Sequence, residues 1–187
     1  MVSKTSTMSN RLVTVSKFAS KYLRHEPEAL GLTLEPGGWV LVADLLAGAA
    51  RIGFPITRDE LDRVVTENDK QRLSFDETGA KIRANQGHSA EVDLQLKEAE
   101  PPEELFHGTV QKFLEAILTD GLKKMDRHDV HLSKDIQTAT KVGQRRGKPV
   151  NLVIDSGKMA ADGFKFRLSD NGVWLTDHVP PEYIRLA

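Results

Sequence analysis

Between Asn10 and Arg24 the apolar residues Leu12, Val15, Phe18, Ala19, Tyr22 and Leu23 recur mostly at spacings of three and four, the period that lines one face of a helix. The pattern predicts a first helix over about 10–24. Pro27 lies just beyond it, and Glu26 is disfavoured as helix because a following proline clashes with α-conformed backbone. Pro36-Gly37-Gly38 is a turn signal, followed by the short apolar segment Trp39-Val40-Leu41. Leu45, Leu46, Ala49 and Ala50 predict a second helix that Gly53 ends. Thr57, with Glu60 three residues on, has the spacing of a capping box, and the helix it starts carries Leu61, Val64 and Val65. Leu73-Ser74-Phe75 and Ala80-Lys81-Ile82-Arg83, separated by a turn containing Gly79, read as a hairpin.

Three helices and a hairpin resemble a winged helix. Residues 97–104, Lys-Glu-Ala-Glu-Pro-Pro-Glu-Glu, are polar and proline-bearing and make the best linker candidate. Beyond them short strands are expected at Leu105–His107, Val130–Leu132, Val150–Ile154, Phe164–Leu168 and Val173–Leu175, with helices over about 110–120 and 134–143. That is a mixed α+β lobe of small sheets. The predicted organisation is therefore α+β throughout, with lobes over 1–96 and 105–187 joined by 97–104.

Composition narrows the classes. At 187 residues, the chain can form two small lobes with a core each. A hydrophobic share of 39% and a charged share of 28% are ordinary for a globular protein and too apolar for a disordered one. The chain has no cysteine, which excludes a disulfide scaffold, a thiolate nucleophile and cysteine-ligated zinc. It also fits a reducing cytosol, so a cytoplasmic location is expected. The polar stretch Met1 to Asn10 has no apolar h-region and is read as carrying no signal peptide. No apolar run approaches the ~20 residues of a membrane span. Lys and Arg number 12 against 13 Asp and Glu in residues 1–96, and 14 against 14 in 97–187. Neither half is a general polyanion binder. An RNA would have to be met by a few placed cations, over a short footprint.

Four clusters place Arg or His at loop or element-end positions. Leu23-Arg24-His25 ends the first helix, where basic residues also suit the helix dipole. Ile82-Arg83-Ala84-Asn85-Gln86-Gly87-His88-Ser89 runs from a strand into a polar loop, and reads equally as a plain turn. Phe106-His107-Gly108-Thr109 ends a strand, with Thr109 also suited to an N-cap. Gly143-Gln144-Arg145-Arg146-Gly147 brackets two arginines with glycines, the pattern of a C-cap with dipole-matched cations. Each is weak alone. Together they suggest a phosphate-handling site, because arginine forks match phosphate oxygens and stay charged. No Walker loop, dinucleotide fingerprint or zinc motif is present. His128 and His131 are three apart, and on a strand that spacing would put them on opposite faces, so no metal is expected.

In their order and spacing these stretches resemble the RNA 2′-phosphotransferase family. The likeness runs from about Ser16 to Tyr183 and also takes in Gly38-Trp39-Val40, His128-Asp129-Val130-His131-Leu132-Ser133 and Asn171-Gly172-Val173-Trp174-Leu175. It implies an N-terminal winged-helix RNA lobe and a C-terminal ADP-ribosyltransferase-like lobe that binds NAD. It implies a catalytic set of Arg24, His25, Arg83 and Arg145, with Arg146 left unassigned. His107, Gly108 and Thr109 resemble cofactor-binding residues, and Ser133 a further contact.

The implied reaction has two steps. An internal RNA 2′-phosphate attacks the NAD ribose and expels nicotinamide; the neighbouring 2″-hydroxyl then attacks phosphorus. The products are 2′-hydroxyl RNA, ADP-ribose 1″,2″-cyclic phosphate and nicotinamide. NAD is thus consumed as a co-substrate. The resemblance further implies a tRNA-like RNA partner and a part in tRNA splicing or RNA repair; no membrane association and a monomer are expected besides, with the oligomeric state left open. An active cleft between the lobes is expected, since the four candidates come from both. Two rivals stay open: an ADP-ribosyltransferase acting on a protein or nucleic-acid end, and a non-catalytic RNA-binding module. Nicotinamide release separates them, and the physiological RNA is left open.

Overall fold

The computed structural model describes residues 9–187. Most of the Met1–Asn10 stretch read for a signal peptide lies outside the described residues. The chain divides into two compact units, Met1–Gln95 and Leu96–Ala187.

In the first unit, α1 (Asn10–Arg24) buries Leu12, Val15, Ala19 and Leu23, and the Ser9 side chain caps it by accepting from the Leu12 N–H. The helix stops where expected: a 3-10 turn over Pro27–Leu30 opens with the proline. The apolar segment after the glycines is a two-residue strand, β1 (Val40–Leu41), running into α2 (Val42–Arg51) and then α3 (Arg58–Glu67). The capping box is present, with Thr57 and Glu60 each accepting the other's backbone N–H. The hairpin is β2 (Leu73–Phe75) and β3 (Lys81–Ala84), and β1 joins its far edge, giving the antiparallel order β1-β3-β2 with Val40 opposite Ile82. Leu12, Val15, Leu23, Leu45, Leu61, Val64 and Ile82 meet in its core. A small sheet of three strands needs such helical cover, because isolated hairpins are marginal in water.

The second unit begins with the polar segment read as a linker. Its Ala99 N–H donates to Phe166 O at 2.9 Å, the Glu103 carbonyl accepts from Gly157 N at 2.9 Å, and Pro102 O accepts from Ser156 Oγ at 2.7 Å. Residues 97–104 therefore line the edge of this unit.

Then come β4 (Leu105–Val110), α4 (Gln111–Asp120), β5 (Leu122–Lys123), β6 (Val130–Leu132), α5 (Ile136–Gln144), β7 (Pro149–Ile154), α6 (Ser156–Ala161), β8 (Arg167–Leu168), β9 (Trp174–Thr176), β10 (His178–Val179) and β11 (Ile184–Leu186). They form antiparallel sheets in the orders β11-β7-β4, β6-β9-β8 and β10-β5. Leu105, Leu132, Leu152, Ile154, Met159 and Phe166 fill the core.

The α+β reading holds, with differences in detail. The strand expected over Phe164–Leu168 is regular at Arg167–Leu168 alone, and α6, β5, β10 and β11 were not expected. Thr109 lies inside β4 and caps nothing; α4 follows Val110 with no side-chain cap. Gly143 lies inside α5, and Arg145 is its C-cap residue. His128 sits in a bend before β6, so the strand argument about His128 and His131 does not apply.

Gly108 and Gly143 have a packing role. A Cβ on Gly108 would stand 1.7 Å from the Ala139 carbonyl oxygen, and one on Gly143 2.9 Å from Thr109 O. The backbones of β4 and α5 meet where a methyl cannot fit, which fixes the end of α5, and so Arg145 and Arg146, against β4.

Candidate functional site

The first unit joins two clusters that lie far apart in sequence. Arg24 is the last residue of α1 and is half-buried, while His25 is its exposed C-cap. The Arg24 carbonyl accepts from the N–H groups of Ser89 and Ala90, each at 2.9 Å, and His25 Nδ1 lies 2.8 Å from Ser89 Oγ. Gly87, with φ of 84°, makes the turn that brings Ser89 there, a conformation glycine adopts without a Cβ clash. His88 is fully buried, and a Cβ on Gly38 would come 3.4 Å from its Nε2.

Arg83 reaches sideways from β3 to the Pro36-Gly37-Gly38-Trp39 turn. Its guanidinium sits 4.6 Å from the Trp39 ring and donates from Nη1 to Gly37 O at 3.3 Å. A half-buried guanidinium stacked on indole keeps its charge while losing rotameric freedom. Asn85 is structural: buried, it accepts from Ser74 Oγ at 2.7 Å and donates to Gln71 O at 2.6 Å. A further half-buried arginine, Arg72, directs Nη1 toward Ser16 Oγ at 3.4 Å.

The second unit builds a cationic group around His107. This half-buried residue of β4 has Nδ1 3.1 Å from the His131 carbonyl. A carbonyl can only accept, so Nδ1 carries the hydrogen. Burial pushes the His107 pKa down; the His131 carbonyl opposes this in part, and the charges of Arg146 and Arg127 push it further down. His131 Nδ1 in turn lies 3.2 Å from Arg127 Nη1. A guanidinium can only donate, so this nitrogen presents its lone pair to it. Desolvation lowers the pKa of Arg127, followed by the charges of Arg146 and Arg145. None of Arg127, Arg145 and Arg146 forms an ion pair among the described residues. Arginines that repel one another without a carboxylate between them form a site an anion would relieve.

The other cofactor candidates share this neighbourhood. Gly108 and Thr109 follow His107 on β4, and Thr109 is buried. Ser133 is bridged to Phe106 by two backbone hydrogen bonds of 2.8 Å. Among the described residues no group of three or more His, Asp or Glu side chains could hold a metal ion, and no helix is long and apolar enough to cross a membrane.

Residues 10–178 match the profile of the family described as "RNA 2'-phosphotransferase, Tpt1 / KptA family". The chain belongs to this family. It is 61% identical to a probable RNA 2'-phosphotransferase of Trichormus variabilis, covering 94% of this chain and 97% of that one. It is 57% identical to a protein of the same description from Streptomyces coelicolor, over 94% and 95% of the two chains, and 54% identical to one from Flavobacterium johnsoniae, over 91% and 94%.

Sequence reasoning passed over two site features of this RNA 2'-phosphotransferase family member. Arg127 was missed although it immediately precedes the His128–Ser133 stretch that carried part of the resemblance. Trp39 stands in a short apolar segment and in the Gly38-Trp39-Val40 stretch of the resemblance, and nothing in local spacing announces that its ring supports Arg83.

Proposed function

We propose that the chain is an NAD-dependent RNA 2′-phosphotransferase. Family membership supports the phosphotransferase activity. The observation that carries the finer reading is the cluster of Arg127, Arg145 and Arg146 beside a neutral His107, a setting suited to the phosphates of NAD and of RNA. His107, Gly108, Thr109 and Ser133 are the proposed NAD contacts. The Gly108–Gly143 approach brings backbone rather than side chains to that part of the unit.

Arg24, His25, Arg83 and Arg145 are proposed to handle the RNA 2′-phosphate, and Arg127 joins them on charge grounds. In the first step a 2′-phosphate oxygen forms a bond to C1″ of the nicotinamide ribose, and the C1″–N bond breaks with its electron pair going to nicotinamide. An anionic nucleophile meets a cationic leaving group, so orientation matters more than proton transfer. In the second step the 2″-oxygen bonds to phosphorus and gives up its proton, while the RNA 2′-oxygen departs and takes one. Fixed arginines stabilise the charge that shifts among the phosphate oxygens. His25 suits the donor of the proton to the departing oxygen.

The winged-helix and ADP-ribosyltransferase-like descriptions of the two lobes belong to this proposal, as do a tRNA-like RNA partner, a monomeric state, a cytoplasmic location and a part in tRNA splicing or RNA repair. The test is to incubate the protein with NAD and a short RNA carrying one internal 2′-phosphate. Nicotinamide release that requires that RNA, with ADP-ribose 1″,2″-cyclic phosphate as product, supports the reading. Release without RNA would indicate a different ADP-ribose acceptor, and no release would defeat the NAD assignment.

A further inference from the structure

Arg127 belongs to an exposed segment. It follows Met125, which is 82% exposed and has a positive φ of 56°, and the backbone bends at Arg127, His128 and Asp129 before β6 begins. On a straight strand Arg127 and His131 would have Cα atoms about 13 Å apart. The bend instead lets Arg127 Nη1 reach His131 Nδ1 at 3.2 Å. Something must hold that curl, because like charges on Arg145 and Arg146 push Arg127 outward.

The residue at the middle of the curl is Asp129, 9% exposed. Its carboxylate pairs with Arg167 Nη2 of β8, and the same nitrogen donates to Asp177 at 2.8 Å, just past β9. These attachments converge on one sheet: β6 and β8 both pair with β9, with His131 and Arg167 each opposite Leu175. A buried carboxylate with a paired guanidinium is costly to break from one side. Here it fixes the segment whose two ends are Arg127 and His131.

We propose that the Asp129–Arg167 pair, steadied by Asp177, is a positioning brace that curls the Arg127–His131 segment and aims Arg127 at the phosphate. The brace rests on the reading of Arg127 given above. Arg167 and Asp129 are positioning residues and touch no reacting atom.

The experiment is a mutant cycle read in single-turnover assays with 2′-phosphorylated RNA and NAD. Arg167→Met and Asp129→Asn are each made in the natural chain and with Arg127→Ala, and Arg167→Lys is the conservative variant. Residues coupled through one network interact strongly. Each brace substitution should therefore slow the natural chain roughly tenfold, add less than about twofold once Arg127 is alanine, and be partly rescued by lysine.

The second readout is the Arg127 Nε–Hε resonance, assigned by its loss in Arg127→Ala and needing no turnover. In Arg167→Met it should move to the position of an unrestrained arginine. Equal loss in both backgrounds, or an unchanged Arg127 resonance, overturns the brace while leaving the role of Arg127 intact. Full activity of Arg127→Ala defeats that role, and the brace falls with it.

Discussion

His25 Nδ1 and Ser89 Oγ lie 2.8 Å apart, although 64 positions separate the two residues along the chain. The pair closes a ring in which the carbonyl of Arg24 also accepts from the Ser89 and Ala90 N–H groups. Ser89→Ala keeps the backbone half of that ring and removes the hydroxyl from the imidazole. The loss of one such hydrogen bond is worth about 1 kcal/mol. Turnover should therefore fall roughly fivefold with little change in thermal stability. His25→Ala should fall much further. Steady-state rates and melting temperatures for the two variants check this, and equal rates for natural and Ser89→Ala proteins would show that the hydroxyl does not orient His25.

Gly108→Ala is expected to disrupt the second unit. The added methyl would meet the Ala139 carbonyl at 1.7 Å and the Gly143 nitrogen at 2.9 Å, both backbone atoms that cannot rotate away. Overpacking of this kind typically costs about 1–3 kcal/mol, sometimes more. Chemical denaturation should show the loss. A Gly108→Ala protein as stable as the natural one would mean that β4 and α5 separate easily.

The sequence announced what depends on local periodicity and caps. Apolar spacing placed α1 at about 10–24, and Thr57 with Glu60 marked the start of α3. Patterning was blind where short strands depend on distant partners. β10 is two residues long and exists because it pairs with β5, and β11 because it pairs with β7. The site divided the same way. Arg24 and His25 were legible as a helix end, and His107 as a strand residue beside glycine. Arg127 carries no local signature, since its surroundings are made by the end of α5 and by His131.

His107 gives a pH dependence whose sign follows from its lowered pKa. The unfolded chain titrates this residue near the ordinary value of 6.5, and the folded protein below it. Between those two values the unfolded state binds more protons, so stability rises with pH there. The contribution is fully present above about pH 6.5 and is lost as pH falls toward the folded value. His107→Gln should flatten this part of the stability curve, which lies below about pH 6.5. Urea unfolding across that range checks it, and identical slopes for the two proteins would contradict the assignment.

The cation group also sets an expectation for metal dependence. With arginine side chains meeting the phosphate charge, turnover should be unaffected by EDTA. Abolition by chelator with recovery on added magnesium would count against a phosphate site built on arginine.

The arginine assignments can be separated by which step fails. Arg83 is held by the Trp39 ring and by Gly37 O, whereas Arg145 is the exposed C-cap of α5. If both stabilise the attack on phosphorus, alanine at either position should remove a charge-assisted contact worth roughly 1.5–3 kcal/mol, more if it strengthens in the transition state. The first step should then survive better than the second, and RNA joined through its 2′-phosphate to ADP-ribose should accumulate. Arg-to-Lys keeps the charge and loses the fork, so rescue should be partial. Arg127→Ala and Arg72→Ala belong in the same series, as the exposed and the half-buried arginine that sequence reasoning passed over. Gel or mass analysis of radiolabelled 2′-phosphorylated RNA reads the outcome. Normal turnover by Arg83→Ala and Arg145→Ala, with the intermediate building up in Arg127→Ala or Arg72→Ala, would move the second-step role to those residues. A uniform loss without intermediate would make Arg83 and Arg145 substrate-binding groups.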